Sequence, residues 1–171
     1  SVTYGGQAMT KIVDRGYFVS YNAYTAAFIL NEAGIAAATS NVFVVTWGTA
    51  PSATAAFSSV FLSGVNQSSL VGNTGTGAST TTTAVTTPLS TNDGDMAFVA
   101  GTCGNTGTYS TINGFTEAIE LAPSSADGVC GYLSSAGGSV TPGVSHTSVN
   151  RQSVIGFVVQ HAQPPPPLAE F

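Results

Sequence analysis

The chain has 171 residues, 43% of them hydrophobic and only 6% charged, with a formal net charge of −5. That length suits one domain with a real core. Its three cations, Lys11, Arg15 and Arg151, are too few to displace counterions from nucleic acid or to hold an anionic membrane surface, and no apolar run reaches the ~20 residues of a spanning helix.

A typical soluble domain is roughly 25% charged. Here serine and threonine supply the polarity, and no charged side chain occurs from Ala33 to Asn92. The β-branched and aromatic runs exclude a disordered chain. So uncharged a surface predicts a protein covered by its neighbours, or one that works outside the cell.

The opening SVTYGGQAMTK reads as a strand, a Gly-Gly turn and a second short strand. A chain that begins directly on a strand predicts that residues ahead of Ser1 have been lost. Tyr17–Phe28 reads as one further strand, with Tyr17, Val19 and Tyr21 on one face. In FILNEAGIAAA the alanines favour helix but Gly34 and the lone Glu32 leave no amphipathic stripe, so a strand to Leu30 and then a loop is expected.

Asn41–Val65 reads as the hairpin that organises the fold: strands Val42–Trp47 and Ala55–Val65, joined around Pro51. Phe43, Val45 and Trp47 share a face of the first strand. Phe57, Phe61 and Val65 share a face of the second, spaced by Ser59 and Ser63. Such a hairpin needs a second sheet to cover it. The Thr/Gly-rich span Asn66–Thr87 suits a linker or an edge strand.

Asn92-Asp93-Gly94-Asp95 is a turn signal. Apolar strands follow at Met96–Cys103, Phe115–Leu121 and Val129–Leu133, with a turn at Pro123–Gly128 and a break at Gly137-Gly138. Val140–Ser148 is a short polar strand, and Gln152–His161 is apolar enough to be covered on both faces. Many short strands with turn signals and no fixed repeat predict an all-β, jelly-roll-like antiparallel β-sandwich over residues 1–163. Residues 164–171 form a tail: Pro164, Pro165, Pro166 and Pro167 make a polyproline II spacer of about 12 Å, which would hold Leu168 and Phe171 out to dock on a neighbouring subunit.

Chemistry is sparse. There is no G-x-S-x-G elbow, and neither His146 nor His161 has a partner at metal-ligand spacing. Glu117 and Glu120 are three apart in a strand and point to opposite faces, so they do not make a glycosidase pair. Lys11, the only lysine, is the sole residue an intramolecular lysine–asparagine cross-link could use. No enzymatic activity and no cofactor are expected. Asp93 and Asp95 are the candidates for calcium, against ordinary turn chemistry. Cys103 and Cys130 would close a disulfide only if their strands are neighbours; the alternative is two separate buried thiols. Tyr17, Tyr21, Trp47 and Tyr109 are candidates for stacking on sugar rings, unless they pack in the core.

SVTYGGQAMTK, NEAGIAAATSNVFVVTW, FSSVFLSGVNQSSLVG, NDGDMAFVA, NGFTEAIE and SHTSVNRQSVIGFVVQ together resemble, in that order, a family of Thr/Gly-rich β-sandwich domains found in bacterial secreted or surface proteins and in phage structural proteins. The resemblance covers Ser1 to about Gln163. It implies a structural, adhesive or decoration role outside the cytoplasm and carries over no catalytic residues. Family members usually have a further apolar strand ahead of the V-T-Y-G-G turn, so Ser1 and Val2 would border an open ladder edge that invites a strand from another chain. The expected partners are copies of the same chain, as an oligomer or polymer at a cell surface or on a virion. The alternative is a lectin-like module binding a glycan or a host surface. Neither nucleic acid nor membrane insertion is expected.

Overall fold

The computed structural model describes residues 1–19, 21–49, 55–123, 125–148 and 151–162, without the side chains of residues 18, 19 and 21. Its strands are β1 Val2–Tyr4, β2 Gln7–Ala8, β3 Thr10–Val19, β4 Tyr21–Ile29, β5 Phe43–Val45, β6 Val71–Ser79, β7 Thr83–Val85, β8 Leu89–Cys103, β9 Tyr109–Ile112, β10 Thr116–Leu121, β11 Asp127–Val140, β12 Gly143–His146 and β13 Gln152–Val159. One short helix, α1 Glu32–Ala36, interrupts them. Among the described residues no helix is long and apolar enough to cross a membrane.

The main sheet has the order β10-β11-β8-β13-β6, and β7-β12-β9 form a second sheet. All of these pairings are antiparallel. Counting from β6 as the first strand, the main sheet sets the first, eighth, third and sixth side by side, and the second sheet sets the second, seventh and fourth. This is jelly-roll winding. The fifth strand, β10, stays with β11 at the edge of the main sheet instead of joining β9. The all-β sandwich read from the sequence is the fold.

Period-2 alternation explains where the core lies. Along β8, Ala97, Val99 and Cys103 are buried on the face that meets the second sheet, where Tyr109, Val144, Val129, Val154 and Val158 join them. The alternate residues Phe98 and Thr102 point to the opposite face. There Phe98 stacks on its register partner Phe157 at 5.1 Å. A hairpin of β3 and β4 covers part of that face, fastened where Thr25 Oγ1 meets Ser153 Oγ at 2.7 Å and Thr102 Oγ1 at 2.9 Å. The molecule therefore has three layers over β13, which is buried along most of its length as its apolar run requires.

Several local readings change. Tyr17–Phe28 is not one strand but parts of β3 and β4, with Val19 paired to Tyr21 across the hairpin. After β4 comes a helix rather than a loop: Asn31 Oδ1 accepts from Gly34 N at 2.9 Å, and Glu32 sits in the first turn. The supposed turn at Asn92–Asp95 is a bulge inside β8, taken up by Gly94 at φ +83°. Gly137-Gly138 likewise lies within β11. Asn66–Thr87 does hold an edge strand, β6.

The largest correction concerns Asn41–Val65. Its two halves do not pair with each other. Phe43–Val45 pairs with β1, in a small sheet of order β2-β1-β5, and residues 55–64 form an extended strap outside any ladder. The link around Pro51 lies outside the described residues, as does the tail Pro164–Phe171 with Pro165, Pro166, Pro167 and Leu168.

Where β6 crosses to β7 the backbones nearly touch: a Cβ on Gly77 would lie 1.9 Å from the Val85 carbonyl oxygen. Gly77→Ala is expected to destabilise the fold by about 1–3 kcal/mol through overpacking. Gly48→Ala, with no atom within 4 Å of the new methyl, serves as the control. Urea unfolding of both variants measures the difference.

Candidate functional site

Two places in the fold have the composition of a site, and they differ in accessibility. The first is a buried polar cluster between the sheets. Asp127, Cys103 and Gln152 lie side by side on β11, β8 and β13, on the core face. His146 from β12 and Tyr109 from β9 close over them, with ring centroids 4.5 Å apart.

His146 and Asp127 are both 0% exposed and joined at 2.8 Å from Nε2 to Oδ2. Ser148 N donates to His146 Nδ1 at 3.1 Å, so the ring proton sits on Nε2 and is donated to Asp127. Gly107 N donates to the same carboxylate oxygen at 2.6 Å. Both histidine nitrogens are therefore engaged. Neither is open to take a proton from a nucleophile, so the Cys103, His146 and Asp127 set is a structural tie rather than a catalytic triad.

Tyr109, a candidate sugar platform from the sequence, is 1% exposed and packs in this core. Its phenol pKa is pushed up by burial first, and then by the nearby Cys103, Asp127 and Glu120. Glu120 is committed too, accepting from Tyr109 N at 2.5 Å. Sequence reasoning missed the cluster because its members are far apart in the chain. A signal existed: Asp127 falls in phase with the inward Val129, and His146 with Val144.

The other candidates separate. Cys103 and Cys130 are on adjacent strands but three residues out of register, Cys103 opposite Asp127 and Cys130 opposite Ala100. They thus face opposite sides of the sheet and are not disulfide-bonded. Burial raises the Cys130 thiol pKa, against a contact with Ser58 Oγ at 3.1 Å.

Asp93 and Asp95 do not form a cation site. The Gly94 bulge leaves Asp93 exposed, while Asp95 is buried and accepts from Asn92 N at 2.8 Å and His161 N at 2.9 Å. Among the described residues no three His, Cys, Asp or Glu side chains gather as metal ligands. Ser1 and Val2 are not an open edge. Ser1 exchanges hydrogen bonds with Thr46, and Val2 pairs with Val45. Tyr17 is half-buried on β3, and the Tyr21 side chain lies outside the described residues.

The second place is on the surface. Phe43 is 40% exposed, Val44 51%, Trp47 44%, Phe57 59%, Val60 62% and Phe61 59%. Phe43, Trp47, Phe57 and Phe61 share one face, where the strap crosses the small sheet: Phe61 meets Tyr4 at 5.6 Å, Tyr4 meets Phe43 at 4.7 Å, and Trp47 meets Phe57 at 6.2 Å. Val44 is next to Phe43 on β5 and points to the opposite face, and Val60 is out of phase with Phe57 and Phe61. On its other side the strap turns Ala56 and Ser58 toward Gly128 and Cys130 of β11. Period-2 alternation thus holds along the strap even without a ladder. No charged residue lies within it.

A small polar cluster stands apart on the outer hairpin. Asp14 Oδ2 accepts from Lys11 Nζ at 2.8 Å and from the Tyr24 hydroxyl, and both hydrogen bonds lower its pKa, the lysine's first. Comparison with protein-family models, with curated proteins and with solved structures finds no match.

His146→Ala removes one donor to a buried carboxylate and is expected to cost about 3–5 kcal/mol. Tyr109→Phe, by contrast, deletes a hydroxyl with no protein partner among the described residues and should be neutral or slightly stabilising. Calorimetry of the two variants checks this contrast. For Asp14, whose folded pKa is lowered, the stabilising contribution is present above the ordinary carboxylate range and fades as pH falls through the folded value. Tyr24→Phe should raise the Asp14 titration midpoint, as read by NMR.

Proposed function

We propose that this chain is a non-enzymatic structural subunit that works by associating with copies of itself, in an assembly outside the cytoplasm such as a surface filament, a fibre or a virion decoration. The observation that supports it best is the exposed apolar strip from Phe43 to Phe61, in a stretch of chain without a single charge. Contiguous exposed apolar patches of several hundred Å² mark interaction surfaces. The resemblance to Thr/Gly-rich β-sandwich domains of secreted and phage structural proteins points the same way. No charged residue lies within the strip to repel a second copy at the contact itself.

Among the described residues, the polar constellation that resembles a catalytic set is buried, with its histidine committed on both nitrogens. A lectin-like role would rest on Trp47 and Phe57. Their rings are tilted 46° from one another and do not offer one plane to a sugar, so this reading ranks second.

Sedimentation equilibrium over a wide concentration range tests the proposal. The expected result is species heavier than 17.1 kDa whose formation is nearly insensitive to sodium chloride, since no charge pairs are there to be screened, and promoted by sulfate. A protein that stays at 17.1 kDa to about 100 μM, below the affinity of even weak specific interfaces, overturns it.

A further inference from the structure

The small sheet ends on β5, and β5 has no strand on its outer side among the described residues. Its hydrogen bonding can be counted from the ends. Ser1 N donates to Thr46 O at 2.8 Å and Thr46 N to Ser1 O at 2.9 Å, while Gly5 N donates to Val42 O at 2.9 Å. In an antiparallel ladder such pairs recur every second residue, so Val42, Val44 and Thr46 turn their amides toward β1. Phe43 and Val45 then turn theirs outward. This apolar edge strand has two outward amides and carries no charge, proline or bulge, so its three-residue length is the one sequence device left to discourage pairing.

We propose that β5 is a pairing edge for a second copy of this chain: two β5 strands join antiparallel about a two-fold axis through Val44. Phe43 of each copy stands opposite Val45 of the other, so the outward amides of both are satisfied. The two small sheets become one sheet of order β2-β1-β5-β5-β1-β2. The strap lies on the same face as Phe43, so Phe57 and Phe61 of both copies flank the new seam.

A second copy is the occupant because the edge is self-complementary in this register and because of the area available. The exposed rings of Phe43, Trp47, Phe57 and Phe61 present on the order of 400 Å² on one face, within the range of the largest patch on a typical monomer. With Val44 on the other face of the seam, this is over half of the roughly 800 Å² per partner of a standard interface. Nothing charged within the strip selects a charged partner. A two-fold contact closes on itself, so a larger assembly would use a second contact elsewhere. The inference rests on the self-association reading and adds its geometry.

The register makes a positive test available. Val44 would face Val44 of the second copy in a non-hydrogen-bonded pair, where Cα atoms are about 4.5 Å apart, within disulfide range. Val44→Cys, oxidised with oxidised glutathione, should give a covalent dimer of twice 17.1 kDa in high yield. The wild type, with Cys103 buried and Cys130 half-buried, and Val42→Cys should give little.

In parallel, Val44→Lys places two cations face to face and should weaken association by about 100-fold or more. Val85→Lys, at an exposed apolar site on β7, should leave association unchanged. Circular dichroism confirms that each variant is folded. If Val44→Lys does not fold, Val45→Pro takes its place, since it removes only an outward N–H. A wild type that associates while Val44→Cys fails to cross-link and Val44→Lys has no effect overturns this interface and leaves self-association standing. A wild type that stays monomeric overturns both.

Discussion

A single strand with two faces to bury sets the terms for this molecule. β8 pairs with β11 on one edge and β13 on the other, and neither of its faces is left to solvent along its apolar half. One set of alternate residues must be small and aliphatic to meet the second sheet. The other carries the Phe98–Phe157 stack and meets the β3–β4 hairpin through the Thr102–Thr25 hydrogen bond. A strand covered on both faces leaves almost no position for a charge. The low charge of the whole chain begins here, as a condition of a three-layer fold, before any consideration of surface.

The few acids deepen that neutrality. Asp14, Asp95, Glu120 and Asp127 each accept hydrogen bonds from within the protein. Asp95 anchors the bulge of β8 to the end of β13 through His161 N, and Asp127 anchors the loop at Gly107 and the β12 histidine. Three of the eight acids of the chain, Asp95, Glu120 and Asp127, are thus buried or half-buried and hold backbone amides in place. What remains for solvent among the described residues is a surface rich in serine and threonine, with few charges and an apolar strip.

Sandwich class and the location of most strands were legible because alternation is a local property. What failed were statements about partners. The strap 55–64 has the alternation of a strand, and Phe57 and Phe61 do share a side, yet it pairs with nothing in a sheet. Faces follow from the chain's own period; ladders depend on what else arrives. Glycine misled in a related way. At Gly94 and Gly137-Gly138 it marks positive φ inside long strands rather than their ends, and a left-handed residue serves a bulge as readily as a turn. The β3–β4 reversal had no glycine or proline to announce it. The tie between His146 and Asp127 depends on two sheets coming together, so only its inward phase was visible in advance. The small sheet was half legible: its Gly-Gly turn is plain, while its third strand comes from the far side of a hairpin and a helix.

The winding has a consequence for the order in which the protein can be made. β13, an interior strand of the main sheet, is the last of the described strands to be synthesised, and it separates β6 from β8. A nascent chain that has emerged only as far as β12 can form the β3–β4 hairpin and the β8–β11 ladder, but it leaves the inner edges of β6 and β8 unpaired and the aromatic face of Phe98 uncovered. The sandwich therefore closes after translation of β13, through contacts distant in sequence, which makes folding slow relative to helical domains of this size. During that interval the chain is open at its centre. Truncation within β13 would remove the keystone while leaving every other strand intact, giving a chain whose free edges pair with whatever strand is nearest.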